Sequence, residues 1–405
     1  MKNNETSSTA FNSREQQTLA RRARTSALGP SLLLTGKRAF RYYSFCFENH
    51  TRLQVCGLLW RVLILNIYIC VLITLLLKSD IMALKFPHEI KNVTDEEDKL
   101  IKKYYKDYIR PFIRVGPAGY MSPAGYGEHA SEIYNLEVRP DDIWITPFSR
   151  SGTTWVQELV WLVTNNLDFE TARSVPLVKR YAFIEYPTLK AENRADLSTP
   201  GNRATYEDFK TVASVKSPRY LKSHLPLSLL PPQLLDTAKV IYVARDPRDV
   251  AVSFHFAHIL FHYFDKSMEF KEFWNLFRKD LILRTPIFPH IIEAWEKRNH
   301  PNMMFLFYEE MQNDLRSVVE RVCKFLGKEY SDEQKQKLVE HLNFSNMKKT
   351  RVVSTEEGGD SELTFFRKGK SGNWVQYFDE EMQKEAEEFM EKNLKETDLR
   401  FPEVK

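Results

Sequence analysis

The sequence predicts an α/β fold, a central parallel β-sheet flanked by helices in a single domain. The first observation is a set of short, continuous apolar runs at residues 142–147, 239–245 and 303–308. Runs of this kind fit parallel strands covered on both faces, because a strand with one wet face would alternate instead. The second is that helix starts are written between them. Asp246 followed by Pro247 is a cap with proline at the first helical position, and Ser331 with Gln334 is a capping box. The third is the order, since strands alternating with helices favour a parallel sheet over an antiparallel one.

Each element can be taken in turn. Residues 1–36 are rich in Ser, Thr, Asn, Ala and Arg, with little to bury, and read as disordered. Their arginine content also fits a transit peptide, but no amphipathic helix is evident. Residues 56–78, CGLLWRVLILNIYICVLITLLLK, are different, because from Val62 to Leu77 the only clearly polar side chain is Asn66. A membrane-spanning helix needs about 20 apolar residues. The run 57–78 therefore reads either as such a helix, with Arg61 snorkelling to the interface, or as a buried core helix. As a span, with Lys37, Arg38, Arg41 and Arg52 before it, it would carry the following body across the membrane. Met82 opens MALKFPHEI, which reads as an ordinary soluble start. The chain thus divides into an extension, 1–81, and a body, 82–405. Within the body, 142–147 reads as a strand, 154–165 as a helix, and 219–224 and 239–245 as strands. Residues 303–308 form another strand. A helix runs from the capping box at Ser331 to about Leu342, and 380–396 form an acidic amphipathic helix.

Composition narrows the function. The chain has 405 residues, is 43% hydrophobic and 13% aromatic, and can bury a sizeable core and line an apolar pocket. A net charge of +4 suits small anions and is too weak to argue for nucleic acid. Of four cysteines, Cys46, Cys56 and Cys70 precede residue 80 and only Cys323 follows it, so the body holds no internal disulfide. That suits a reducing, cytoplasmic setting.

The chemistry starts at FSRSGTTW, residues 148–155, between a strand and a helix. Amide hydrogens at a helix start are unpaired and the dipole adds positive charge there. Ser151, Gly152, Thr153 and Thr154 sit at that end, and Arg150 adds a full charge. Such a loop binds phosphate or phosphosulfate, although alone it is also an ordinary capped turn. It lacks the GxxxxGK[ST] pattern, which weakens a magnesium-dependent nucleotide kinase reading.

KVIYVARDPRDVAVSF ends a strand at Arg245 and places Ser253 about two turns into the next helix. Ligands of parallel sheets collect at that strand end, where arginine can grip a phosphate through two bonds. FFRKGKSGNW, containing Arg367, Lys368 and Gly369, reads as a basic loop able to close over an anion. In LKSHLP, Lys222 and His224 lie two apart and share one side if the segment is a strand. A neutral imidazole there can take a proton while the ammonium group stabilises developing negative charge.

FSRSGTTW, YLKSHLP, YVARDPRDVAVS and FFRKGKSGNW, in this order, resemble the cytosolic sulfotransferase family, in wording closest to its insect members. The similarity covers about residues 82–405. It implies a fold like that of the P-loop kinases and transfer of a sulfuryl group from 3′-phosphoadenosine 5′-phosphosulfate (PAPS) to a hydroxyl or amine, without a metal. By the same resemblance, 148–155 is the 5′-phosphosulfate loop, and Trp155 and Phe344 stack on adenine, which Tyr308 also contacts. Arg245, Ser253 and the run Arg367, Lys368, Gly369 hold the 3′-phosphate. His224 is the catalytic base, and Lys222 and Arg150 stabilise the transition state.

The sequence departs from the family in two places. Its loop usually reads Tyr-Pro-Lys-Ser-Gly, whereas here it is Phe148-Ser149-Arg150-Ser151-Gly152. Arginine keeps the charge but is effectively never a proton donor, so a slower turnover is expected, not inactivity. The family's dimer motif, Lys-x-x-x-Thr-Val-x-x-x-Glu, is missing from Val375 to Lys384, leaving monomer or dimer open. His255, His258 and His262 follow Ser253 on one predicted helix face, either as zinc ligands or, with Phe254 and Phe256, as pocket or core. Phe183 and Tyr186 are further pocket candidates. The expected activity is PAPS-dependent sulfation of a small apolar hydroxylated acceptor such as a phenol or sterol. The alternatives are a PAPS-binding protein with weak catalysis and a nucleotide kinase. The expected location is cytoplasmic, or membrane-anchored through 57–78.

Overall fold

The computed structural model describes residues 84–189, 207–349 and 369–404. They belong to a compact unit, Ala83–Lys405. The expectations for 1–36 and 57–78, and those for Arg367 and Lys368, fall outside the described residues.

A five-stranded sheet carries this unit, with strands β4 (Ile143–Ile145), β5 (Ala182–Phe183), β6 (Tyr220–Lys222), β7 (Lys239–Ala244) and β8 (Met303–Phe307). Their spatial order is β5-β6-β4-β7-β8 and every pairing is parallel. Alternate residues face opposite cores, as a strand's two-residue period requires. Trp144, Val240, Tyr242, Phe305 and Phe307 enter one apolar cluster, while Ile143, Ile145, Ile241, Val243 and Leu306 enter the other. Both faces are thus covered, which accounts for the continuous apolar runs in the sequence.

A second, antiparallel sheet precedes it, made of β1 (Ile90–Asn92), β2 (Phe112–Val115) and β3 (Tyr120–Pro123). No sequence expectation covered it. Strand β3 meets the segment before helix α6 through two backbone bonds. The Arg284 amide donates to the Met121 carbonyl at 2.7 Å, and the Met121 amide to the Thr285 carbonyl at 2.8 Å.

The principal helices are α1 (Asp95–Tyr104), α2 (Ala124–Tyr134), α3 (Thr153–Thr164), α4 (Pro247–Leu260), α5 (Phe270–Arg278) and α6 (Ile287–Glu296). After β8 come α7 (Tyr308–Asn313), α8 (Leu315–Phe325), α9 (Asp332–His341), α10 (Phe344–Lys349) and α11 (Glu380–Leu394). The caps are as expected. The Asp246 side chain accepts from the Arg248 amide with Pro247 at the helix start, and Ser331 with Gln334 completes a reciprocal box. Helix α3 is pinned at its middle by Glu158, fully buried, which accepts from Arg180 at 2.6 Å and pairs with His341 at 2.9 Å. At the base of β4, Arg219 grips Asp142 through two bonds of 2.7 and 2.6 Å. These buried pairs leave no carboxylate uncompensated and fix the strand and helix on either side of the 148–155 loop.

All four predicted strands end one or two residues early, β7 at Ala244 instead of Arg245. β4 stops at Ile145 because Pro147 cannot donate to a ladder. β6 stops at Lys222 because the His224 amide turns to the Glu185 carboxylate at 2.7 Å. β8 stops at Phe307, and Tyr308 opens α7.

Candidate active site

The site lies at the carboxyl ends of β4, β6 and β7, around β4, where the strand order reverses direction. Gly152 is the N-cap of α3 with φ of 104°, a conformation that side chains disfavour. A Cβ there would stand 2.6 Å from the Tyr308 ring. Gly152→Ala is therefore expected to weaken nucleotide binding about tenfold or more, from backbone strain and displacement of Tyr308. Calorimetry on the folded variant checks this.

An aromatic and cationic wall stands beside the loop. Trp155 meets Tyr308 edge to face, with ring centres 5.5 Å apart, and the Arg245 guanidinium lies 4.4 Å over the Tyr308 ring. Arg245 donates to the carbonyls of Arg150 (3.4 Å) and Lys370 (2.9 Å). Arg150, with φ of 66°, donates from Nε to Ser253 Oγ at 3.1 Å. Arg245 and Ser253, far apart in sequence from the loop, thus meet it through Arg150. The 369–374 segment is latched by amides and carboxylates. Gly372 and Trp374 donate to Asp249 at 2.6 and 3.2 Å, and the Gln312 side chain bonds Gly369 and Ser371 at 2.6 and 2.7 Å. Gly369, with φ of 62°, sits so close to Phe344 that a Cβ would fall 2.2 Å from its ring. Buried Ser151 Oγ, Trp155 Nε1 and Arg245 Nε have no hydrogen-bond partner among the described residues. Groups of that kind are costly to bury unless a ligand satisfies them.

Lys222 and His224 meet at the ring of Phe183. The Lys222 ammonium group lies 4.0 Å over it, and the His224 ring meets its edge at 5.6 Å. His224 Nδ1 lies 2.8 Å from the Pro147 carbonyl, which can only accept. Nδ1 therefore carries the hydrogen and Nε2 the basic lone pair. Burial, then the charges of Arg284 and Lys222, hold the imidazole well below its usual pKa and so neutral. Burial likewise lowers Lys222 to about 7, against the attraction of Glu185 and with help from Arg284. Glu185 accepts from the His224 amide and from Ser223 Oγ at 2.8 Å, and ties the turn together.

Thirteen of the fifteen residues proposed from sequence are placed here; the other two are Arg367 and Lys368. The histidines after Ser253 form no metal site. His255 bonds the Met268 carbonyl, and His258 the Phe254 carbonyl and Tyr105 hydroxyl. His262 lies beyond the helix end, in a left-handed conformation and exposed. Among the described residues, no cluster of three His, Cys, Asp or Glu is placed to hold a metal. Sequence reasoning missed Glu185 and Arg284, since a lone acid in FIEYP and a lone base in LRTP belong to no motif.

The sulfotransferase domain family matches residues 140–398, more than half of the chain. The chain belongs to the sulfotransferase family. This sulfotransferase is 30% identical over 330 residues to luciferin sulfotransferase of Photinus pyralis, covering 77% of this chain and 88% of the relative. It is 33% identical to sulfotransferase 1 family member D1 of Rattus norvegicus, over 68% of this chain and 90% of that one. A crystal structure of retinol dehydratase with androsterone and inactive cofactor PAP superposes with a TM-score of 0.73 at 40% identity. That alignment covers 79% of this sulfotransferase and 99% of the other chain.

Proposed function

We propose that residues 82–405 transfer a sulfuryl group from PAPS to the hydroxyl of a small apolar acceptor, with His224 as base. The donor supplies an activated sulfuryl group on its 5′-phosphate. The loop 150–155, Trp155 and Tyr308 hold the nucleotide's phosphosulfate and adenine. Arg245 and Ser253, with Gly369 and the adjoining Arg367 and Lys368, hold its 3′-phosphate. Phe344 stacks on adenine as well. Sulfuryl transfer, like phosphoryl transfer, needs positioning and charge stabilisation more than covalent help. Nε2 of His224 removes the acceptor proton, while Lys222 and Arg150 stabilise the charge on the bridging and departing oxygens. The observation that carries this is the bond from His224 Nδ1 to the Pro147 carbonyl, which leaves Nε2 of a neutral imidazole free of hydrogen one residue from the anion loop.

The acceptor side is apolar, with Phe183 under the transfer groups and Tyr186 5.7 Å from it. That fits a phenol, sterol or comparable alcohol. Luciferin, retinol and androsterone, named with the relatives, are molecules of this kind. The 40% identity to a retinol dehydratase supports a second reading for allylic alcohols. The sulfate ester first formed would lose sulfate with its bonding electron pair and a proton to base, leaving an alkene. Radiolabelled PAPS with a panel of phenols, sterols and amines, followed by mass spectrometry, separates sulfate ester from alkene. No labelled product and no alkene from any acceptor would defeat the reading. We place the activity in the cytoplasm. Among the described residues no helix is long and apolar enough to cross a membrane. Carbonate extraction tests the anchor expected at 57–78, and retention in the membrane pellet would replace the cytoplasmic assignment.

The pH dependence follows from the two shifted groups. Lys222 is charged below about 7 and loses its charge as pH rises through that value. His224 stays neutral until pH falls well below the ordinary histidine range. kcat/KM for PAPS, which reports the free enzyme, is expected to fall above about pH 7 and to hold on the acid side past the usual histidine limb. Bound phosphates favour the ammonium form, so the alkaline limb of kcat lies higher. An alkaline limb in kcat/KM near 10.4, the ordinary lysine value, would contradict the burial of Lys222.

A further inference from the structure

Arg284 is a cation in the transfer site that no motif announces. Its backbone has φ of 74° and is clamped to β3, because its amide donates to the Met121 carbonyl and the Met121 amide donates to the carbonyl of the next residue, Thr285. A left-handed non-glycine residue is strained, and such strain persists where the surroundings over-determine it. The side chain is 12% exposed. Its Nη1 donates to Ser149 Oγ at 2.6 Å, next to Arg150 in the anion loop. Its Nη2 is buried and has no hydrogen-bond partner among the described residues, since Glu185 Oε1 is 3.7 Å away. The guanidinium lies 5.8 Å over the Phe183 ring, the ring that Lys222 and His224 also approach. Arg150, by contrast, spends its Nε on Ser253, toward the assigned 3′-phosphate end.

We propose that Arg284 is a further catalytic residue: its Nη2 donates a hydrogen bond to an oxygen of the sulfuryl group in transit between donor phosphate and acceptor. The inference rests on the sulfotransfer reading above. In that step the acceptor oxygen forms its bond to sulfur and gives its proton to His224. The sulfur–phosphate oxygen bond breaks, and its electron pair leaves with the phosphate. Arg284 donates a hydrogen bond and transfers no proton; burial lowers its pKa from the ordinary arginine value, and the Glu185 carboxylate opposes that shift. A donor fixed beforehand by Ser149 and the Met121 clamp needs no reorganisation when charge spreads over the sulfuryl oxygens. Its charge also helps keep Lys222 and His224 below their usual pKa values.

The test uses the full chain carrying Arg284→Gln, Arg284→Lys or Arg284→Ala. For Arg284→Gln, kcat should fall about 100-fold, the scale of one lost oxyanion donor. PAP affinity should stay within about threefold, because a contact made only in the transition state lowers kcat and kcat/KM together. Added guanidinium at millimolar concentration should restore part of the kcat of Arg284→Ala, which a merely structural role would not allow. A folded Arg284→Gln with near wild-type kcat, or with its loss confined to PAP affinity, overturns the proposal. Should that variant not fold, Arg284→Lys decides. One ammonium group cannot replace the fork, so kcat about tenfold lower with normal PAP binding supports the contact, and wild-type kcat overturns it. Wild-type protein that fails to bind PAP defeats the sulfotransfer reading itself, whereas normal wild-type turnover with an unaffected Arg284→Gln defeats this inference alone.

Discussion

His224→Ala is expected to lower kcat at least ~100-fold, the scale of a lost general base, while PAP affinity stays near that of the wild type. Both parts follow from position. The imidazole stands off the nucleotide wall, anchored through Nδ1 to the Pro147 carbonyl at 2.8 Å, and touches the Phe183 edge. Removing it leaves the loop, Trp155, Tyr308 and Arg245 in place. Its carbonyl partner at Pro147 becomes accessible to water through the space vacated, so the structural cost is small beside the chemical one. The two effects are separated by single-turnover kinetics at saturating PAPS and calorimetry with PAP. Full activity in the folded variant would remove His224 from its role.

Arg245→Ala should show the opposite pattern. Charge-assisted hydrogen bonds contribute about 1.5–3 kcal/mol, so the loss of one is worth roughly 10- to 100-fold in affinity. Arg245 sits at the end of β7 with its Nε unpartnered, and braces the Tyr308 ring and the Lys370 carbonyl. The variant is therefore expected to weaken PAP binding by that factor, with kcat at saturating PAPS little changed. An unchanged dissociation constant would contradict the 3′-phosphate assignment.

The sheet was legible because its strands are buried on both faces, which writes an uninterrupted apolar run into the chain. Strand ends were less so. The turn at His224 depends on Glu185, 39 residues away, and no local pattern carries that bond. The wall proposed to hold the nucleotide was legible in part as motifs, because backbone loops and helix starts are local structures, whereas Tyr308 and Phe344 were read only from the family resemblance. The transfer site was legible only in part. Lys222 and His224 are neighbours in sequence, but Arg284 is held near them by backbone bonds to β3, whose short segment YMSP carries no local signal of strand or site. The histidines after Ser253 showed the converse failure. Helical spacing put them on one face, yet the helix ends at Leu260, and two of the three rings are occupied by core bonds.

Calorimetric titration of the full chain with PAP tests the nucleotide cradle most directly. The account predicts saturable binding to one site per chain, weakened by Arg245→Ala and unaltered by His224→Ala. Absence of binding by the folded wild-type protein would contradict it.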